Sequence, residues 1–195
     1  MKEIDICSLM RMRRSVRLFG QKKIPFGIIK KVVNAARLAP SAANLQFIEY
    51  LVICEKEQRE KIFPCLRWAG YIAPKRNPSQ DKTPTVYIII LIAKDKSKEP
   101  NLRDIGAAAQ SMLLTLTYLG AAGCWLQNID KESLRRSVRI PDRYDIDSII
   151  AAGYPAETPH LETDARNIRY WLDAKNRLHV PKRPLGDIFH YNYIK

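Results

Sequence analysis

The sequence predicts an α+β fold in which a central sheet is flanked by helices within one domain, residues 1–195. Three observations carry this expectation. Segments with helical spacing of apolar residues alternate with short runs rich in β-branched and aromatic side chains. The run Thr85-Val86-Tyr87-Ile88-Ile89-Ile90-Leu91-Ile92 is nearly all apolar, as suits a central strand buried on both faces. The 195 residues suffice for a real core, and 46% hydrophobic with 27% charged residues argues against a disordered chain.

Taken in order, Ile6 to Met12 reads as a short helix running into the basic stretch Arg11-Met12-Arg13-Arg14-Ser15-Val16-Arg17. Pro25 suits a first helical turn, and Ile28, Ile29, Val32, Val33 and Ala36 follow at helical spacing. Pro40 to Asn44 ends that helix as a loop, and Phe47 to Cys54 reads as a strand. Lys56 to Trp68 is helix-like with a break at Pro64, and the proline-bearing stretch Gly70 to Pro84 reads as a mobile surface loop. Asp104 is the expected N-cap of a helix from Ile105 to Leu119, whose small residues invite close approach of another backbone. A strand at Cys124-Trp125-Leu126, a helix from Lys131 to Val138 and a strand from Ile146 to Ala152 follow. Ile168 to Leu172 and Arg177 to Val180 flank Asp173-Ala174-Lys175-Asn176 as a β-hairpin. The apolar tail beyond Pro184 is expected to dock on something. Met10, Met12 and Trp125 read as core residues; Trp68 and Tyr71 border the loop and could line a pocket.

Composition removes several classes of function. Cys7, Cys54, Cys65 and Cys124 are scattered, and His160, His179 and His190 show no ligand spacing, so no metal site is expected and the thiols read as inert in a reducing compartment. Ile105 to Ile129 carries no charge, but its polar residues and Gly120-Ala121-Ala122-Gly123 argue for a buried helix followed by a strand rather than a membrane span. Met1-Lys2-Glu3-Ile4-Asp5 has no secretory pattern, and a cytoplasmic protein is expected. The net charge of +13 permits nucleic acid or phosphorylated ligands as partners without choosing between them.

Neither G-x-G-x-x-G nor the phosphate-binding G-x-x-x-x-G-K-S/T occurs, and G-x-S-x-G and H-E-x-x-H are absent too. The basic stretch at 11–17 is more informative. Arg13, Arg14 and Arg17 around Ser15 offer forked donors and a hydroxyl to a phosphate, although the same run also reads as a solvated basic face. Lys182-Arg183 is a second such spot with the same two readings.

Several of these motifs, in this order, resemble the FMN-dependent nitroreductase family. They are Arg13-Arg14-Ser15-Val16-Arg17-Leu18-Phe19, Ala39-Pro40-Ser41-Ala42-Ala43-Asn44-Leu45-Gln46 and Asp104-Ile105-Gly106-Ala107-Ala108-Ala109-Gln110. Gly123-Cys124-Trp125-Leu126, Ala152-Gly153-Tyr154-Pro155 and Lys182-Arg183-Pro184-Leu185 continue the match over nearly the whole chain. The resemblance implies a three-layer α/β/α fold with a mixed or antiparallel sheet. It implies an intertwined homodimer whose arm, residues 184–195, packs on the partner. It also implies an FMN-dependent oxidoreductase that passes hydride from NADPH or NADH to small electron-poor acceptors, nitroaromatics or quinones, by a ping-pong cycle. Arg13, Ser15 and Arg17 would then hold phosphate, ribityl chain and pyrimidine edge, with Arg14 close by. Pro40, Ser41 and Asn44 would reach the partner's flavin, Leu126 and Gln127 would present backbone to the ring, and Lys182 and Arg183 would return to the phosphate. The excess of positive charge favours NADPH.

The chain departs from the family pattern at Phe47-Ile48-Glu49 and at Ser111, which puts the substrate in doubt rather than the cofactor. Two other readings stay open. One is a flavin-storing or flavin-degrading relative. The other is a basic nucleic-acid-binding module, which the aromatic residues disfavour because they are not interleaved with the basic clusters.

Overall fold

Residues 5–164 and 166–194 are described by the structure, a computed structural model. Met1 to Ile4 and the last residue of the arm, Lys195, lie outside them. In chain order the elements begin with α1 (Ile6–Met12), β1 (Phe19–Gly20), α2 (Phe26–Arg37), β2 (Ile48–Ile53), α3 (Lys56–Ile62) and β3 (Val86–Ala93). They continue with α4 (Leu102–Tyr118), β4 (Ala122–Leu126), α5 (Lys131–Val138), β5 (Tyr144–Pro155), β6 (His160–Thr163), β7 (Trp171–Leu172) and β8 (Leu178–Lys182).

The apolar run becomes the middle of the sheet. All eight residues of β3 are buried, between β2 and the longer β5. β5 also pairs with β1 and β4, and every strand pair of this five-stranded sheet is antiparallel. Strand geometry sends alternate side chains to opposite faces. Val86, Ile88, Ile90 and Ile92 therefore pack with Ile29 and Val32 of α2 and Ile105, Met112 and Leu116 of α4. Tyr87, Ile89 and Leu91 enter the other core, with Ile62 of α3 and Leu134 of α5. The result is the expected α/β/α layering. Gly153 on β5 is required by this packing: a Cβ there would lie 2.9 Å from the Phe19 ring.

The helix ends show which local rules won. Asp5 caps α1, accepting from the Cys7 and Ser8 amides, and Asp130 caps α5 through Ser133. The cap of α4 is Asn101, which accepts from the Arg103 amide, and not Asp104. The expected boundary moves because the helix starts three residues earlier, freeing Asp104 for another task. Lys56 to Trp68 is not one helix: α3 stops at Ile62 and a 3₁₀ turn at Phe63–Cys65 carries Pro64. The hairpin forms as expected, with β7 antiparallel to β8, and β6 adds a parallel strand on the other edge of β8.

Trp68 is 5% exposed and packed beside Phe63 in the second core. Three side-chain expectations need correction. Met10 and Met12 of α1 are exposed, whereas Trp125 is half-buried and donates to the Ser148 hydroxyl at 2.7 Å. Cys65 and Cys124 are buried thiols, but Cys7 is exposed. The stretch 70–84 is not a free loop, because Arg76 within it is 7% exposed and bonded to two distant segments. No helix among the described residues is long and apolar enough to cross a membrane.

Candidate functional site

The basic stretch leaves α1 as extended backbone and runs beside β4. Ser15 bridges Gly123 in parallel, and the Val16 amide donates to the Gly123 carbonyl at 3.2 Å. Period-two geometry then separates the arginines. Arg13 and Arg17 both bear electrostatically on the Cys124 thiol, whereas Arg14 turns back to donate to the Met10 carbonyl at 2.8 Å.

These guanidinium groups are half-buried and underused. The Nε atoms of Arg13, Arg14 and Arg17 are all buried, and none has a hydrogen-bond partner. No ion pair reaches any of the three among the described residues. Burial draws the Arg13 and Arg14 guanidinium groups below arginine's ordinary pKa, and for Arg14 the neighbouring Arg13 charge adds to the effect. Burial also pushes the Cys124 thiol up, so no thiolate stands in as counter-ion. A buried donor without an acceptor costs about 1–3 kcal/mol, and more when charged. Three in one segment leave a set of donors that an anion can satisfy.

One carboxylate lies close, and it is already engaged. Glu157, just after β5, accepts from the Arg17 amide at 2.5 Å and the Leu18 amide at 3.0 Å through Oε1. Its Oε2 takes both Nε and Nη2 of Arg76. Arg76 also donates to the Asn176 carbonyl at 3.2 Å, in the hairpin turn. The Arg17 guanidinium lies over the Tyr170 ring, 5.1 Å from its centroid. Tyr170 in turn packs against Tyr71 at 4.9 Å, and Tyr71 is 60% exposed at the edge of this group.

The remaining expected site residues fall into separate places on the chain. Pro40 is exposed and Ser41 half-buried; both line a small hollow with Asp104. The buried Asp104 carboxylate accepts from the Ser41 hydroxyl at 2.8 Å and the Ala42 amide at 2.9 Å. The turn it pins holds Ala43, Asn44 and Gln46 at positive φ, near +50°, a conformation that costs non-glycine residues energy and gathers at functional sites. Leu126 ends β4 and is buried, and Gln127 follows it exposed. Lys182 ends β8, and the exposed Arg183 donates to the Asp187 carbonyl. Arg14 and the Pro40–Ser41 pair line different cavities. A cavity of about 700 Å³ opens elsewhere, against α3 and Thr83-Pro84, and none of the expected site residues lines it.

Comparison with known proteins places this arrangement. Residues 10–154 match the model of the Nitroreductase family, three quarters of the chain and all of β1 to β4. The chain belongs to the nitroreductase family. It is 29% identical over 170 residues to a protein of Archaeoglobus fulgidus provisionally named NADH dehydrogenase/NAD(P)H nitroreductase, covering 83% of this chain and 92% of that one. A similarly named protein of Methanothermobacter thermautotrophicus is 28% identical over 165 residues, covering 80% and 81% of the two chains. Among solved structures, a provisionally named nitroreductase in complex with FMN from Desulfovibrio desulfuricans superimposes with a TM-score of 0.72. The two chains are 21% identical, with all of each covered, and the likeness shows a shared fold.

Four residues of these two clusters escape sequence reading. Asp104 reads as a helix cap, and Glu157, Arg76 and Tyr170 carry no local signal. The one usable hint was that Asp104 opens a segment of small apolar residues, where a carboxylate needs a reason to be buried.

Proposed function

We propose that this oxidoreductase binds FMN on the arginine stretch and uses it to pass hydride from NADPH or NADH to small electron-poor molecules. The observation that carries the reading is the set of three buried, partnerless Nε atoms on Arg13, Arg14 and Arg17. An FMN phosphate carries close to two negative charges, and each charge-assisted bond contributes about 1.5–3 kcal/mol. Bound FMN would supply two-electron hydride chemistry, which no side chain of this protein need perform.

The chain's own residues then have defined tasks. Arg13 and Arg14 bind the phosphate end, Ser15 meets the ribityl chain, and Arg17 favours negative charge at the pyrimidine edge. Lys182 and Arg183 close on the phosphate. Backbone at Leu126 and Gln127 faces the ring, and the exposed Tyr71 borders the substrate side. NADPH is the favoured donor on net charge.

The site is completed by a second copy of the chain. Pro40 and Ser41 line a different hollow from Arg14 in one chain, with Asn44 in the turn that follows them, as befits residues that serve the partner's flavin. The tail supports the same reading. Leu185, Ile188, Phe189, Tyr191, Tyr193 and Ile194 are 54–82% exposed, too apolar a segment to face water. Packed across a partner, the 184–195 arm would interlock the pair. Deleting residues 184–195 should turn a dimer into a monomer that loses flavin, by light scattering and absorbance.

The visible spectrum of the purified protein tests the reading. Visible flavin absorbance bands, about one FMN per chain, and bleaching by NADPH or NADH without oxygen are expected. A colourless protein that takes up no FMN overturns it.

A further inference from the structure

Glu157 and Arg76 stand 81 residues apart in sequence and form a pair whose side chains are 4% and 8% exposed. The pair is more than a structural tie, because of what lies on either side. One carboxylate oxygen fixes the backbone of Arg17 and Leu18. Glu157 also borders a cavity of about 240 Å³ together with Arg14 and Val16. Glu157 is thus the carboxylate tied directly to the arginine stretch, and left unneutralised it would compete with a ligand anion for the charges carried there. It would occupy the binding charges of the site before any ligand arrived.

The geometry points to Arg76 as a positioning residue of the anion site: by holding Glu157 it keeps Arg13, Arg14 and Arg17 free, and through Glu157 it sets the backbone that presents them. The inference rests on the FMN reading above. It also assigns a task to the 70–84 stretch, which delivers Arg76 and is secured through the Asn176 carbonyl. Buried partners behave asymmetrically. Removing one member leaves a bare charge, whereas removing both charges costs far less.

That asymmetry gives a test that separates charge balance from general damage. FMN affinity of the flavin-stripped, full-length protein is read by flavin fluorescence quenching, with Tm recorded for each variant. Arg76→Met should weaken FMN binding by about tenfold or more, since the freed carboxylate competes for the arginines. Glu157→Gln keeps the acceptor for the Arg17 amide and should stay within about threefold of wild type. The double variant should recover most of the Arg76→Met loss. If Arg76→Met does not fold, Arg76→Lys carries the test. It keeps the charge and should bind FMN within about threefold of wild type even at a lowered Tm.

Equal losses in Glu157→Gln, the double variant and Arg76→Met would overturn the inference, as would a tenfold loss in Arg76→Lys. Either result with normal FMN binding by wild type leaves the cofactor reading standing. Failure of wild type to bind FMN removes both.

Discussion

Arg76 and Arg17 are the same residue type, the first buried and the second half-buried with a buried Nε, and they occupy opposite states. Arg76 gives its guanidinium to Glu157 and to the Asn176 carbonyl. Arg17 keeps a buried Nε that meets nothing, as do Arg13 and Arg14. Burial alone therefore does not mark a functional cation. The partner does: a satisfied buried arginine reads as framework, and on the proposed FMN site an unsatisfied one is a binding charge awaiting its ligand.

The largest effect expected from this contrast is on stability. Arg76→Ala strands a carboxylate in a nearly dry position and should cost about 3–5 kcal/mol in urea unfolding. Arg13→Ala and Arg17→Ala remove unsatisfied groups, so each should leave unfolding free energy unchanged or slightly raised. Their loss belongs to FMN affinity instead, about 1.5–3 kcal/mol apiece by titration. Should Arg17→Ala unfold the protein as readily as Arg76→Ala, the distinction fails.

A smaller effect sharpens the comparison at the second cluster. Asp104 is a buried carboxylate whose partners are the Ser41 hydroxyl and the Ala42 amide. Asp104→Ala leaves both without an acceptor and lets the strained 43–46 turn relax, at about 1–3 kcal/mol in the same unfolding assay. A loss no larger than a surface substitution would mean the turn holds itself.

The smallest expected effect concerns pH. The Arg177 backbone amide, with help from the Arg177 and His179 side chains, holds the Asp173 carboxyl below the ordinary carboxylate range. A carboxyl depressed in the folded state stabilises fully above its unfolded pKa, about 4, and that contribution fades as pH falls toward the folded value. Thermal unfolding between neutral pH and pH 3 should show part of the acid-side loss disappear in Asp173→Asn. Identical profiles for the two proteins would contradict the assignment.

Much of the fold was legible because apolar periodicity is a local signal. The run at 85–92 announced a strand buried on both faces, and Ile29, Val32 and Ala36 announced the inner face of α2. What escaped was set by tertiary contact. β1 is two residues long and exists through Tyr154 and Pro155, far along the chain. Trp68 borders the 70–84 stretch in sequence, and the fold packs it into the second core.

The site divides the same way. The arginine stretch was legible because its donors are adjacent in sequence. Glu157 and Arg76 were not, since a single glutamate and a single arginine in a proline-rich stretch look solvated until the fold joins them.

The most direct test follows the arginine Nε resonances by nitrogen-15 NMR while FMN is added to the flavin-stripped protein. The Nε–H signals of Arg13, Arg14 and Arg17 should shift together and saturate at one FMN per chain, while that of Arg76 stays in place. Saturable FMN binding that leaves those three signals unmoved, or moves Arg76 in their stead, would contradict the account.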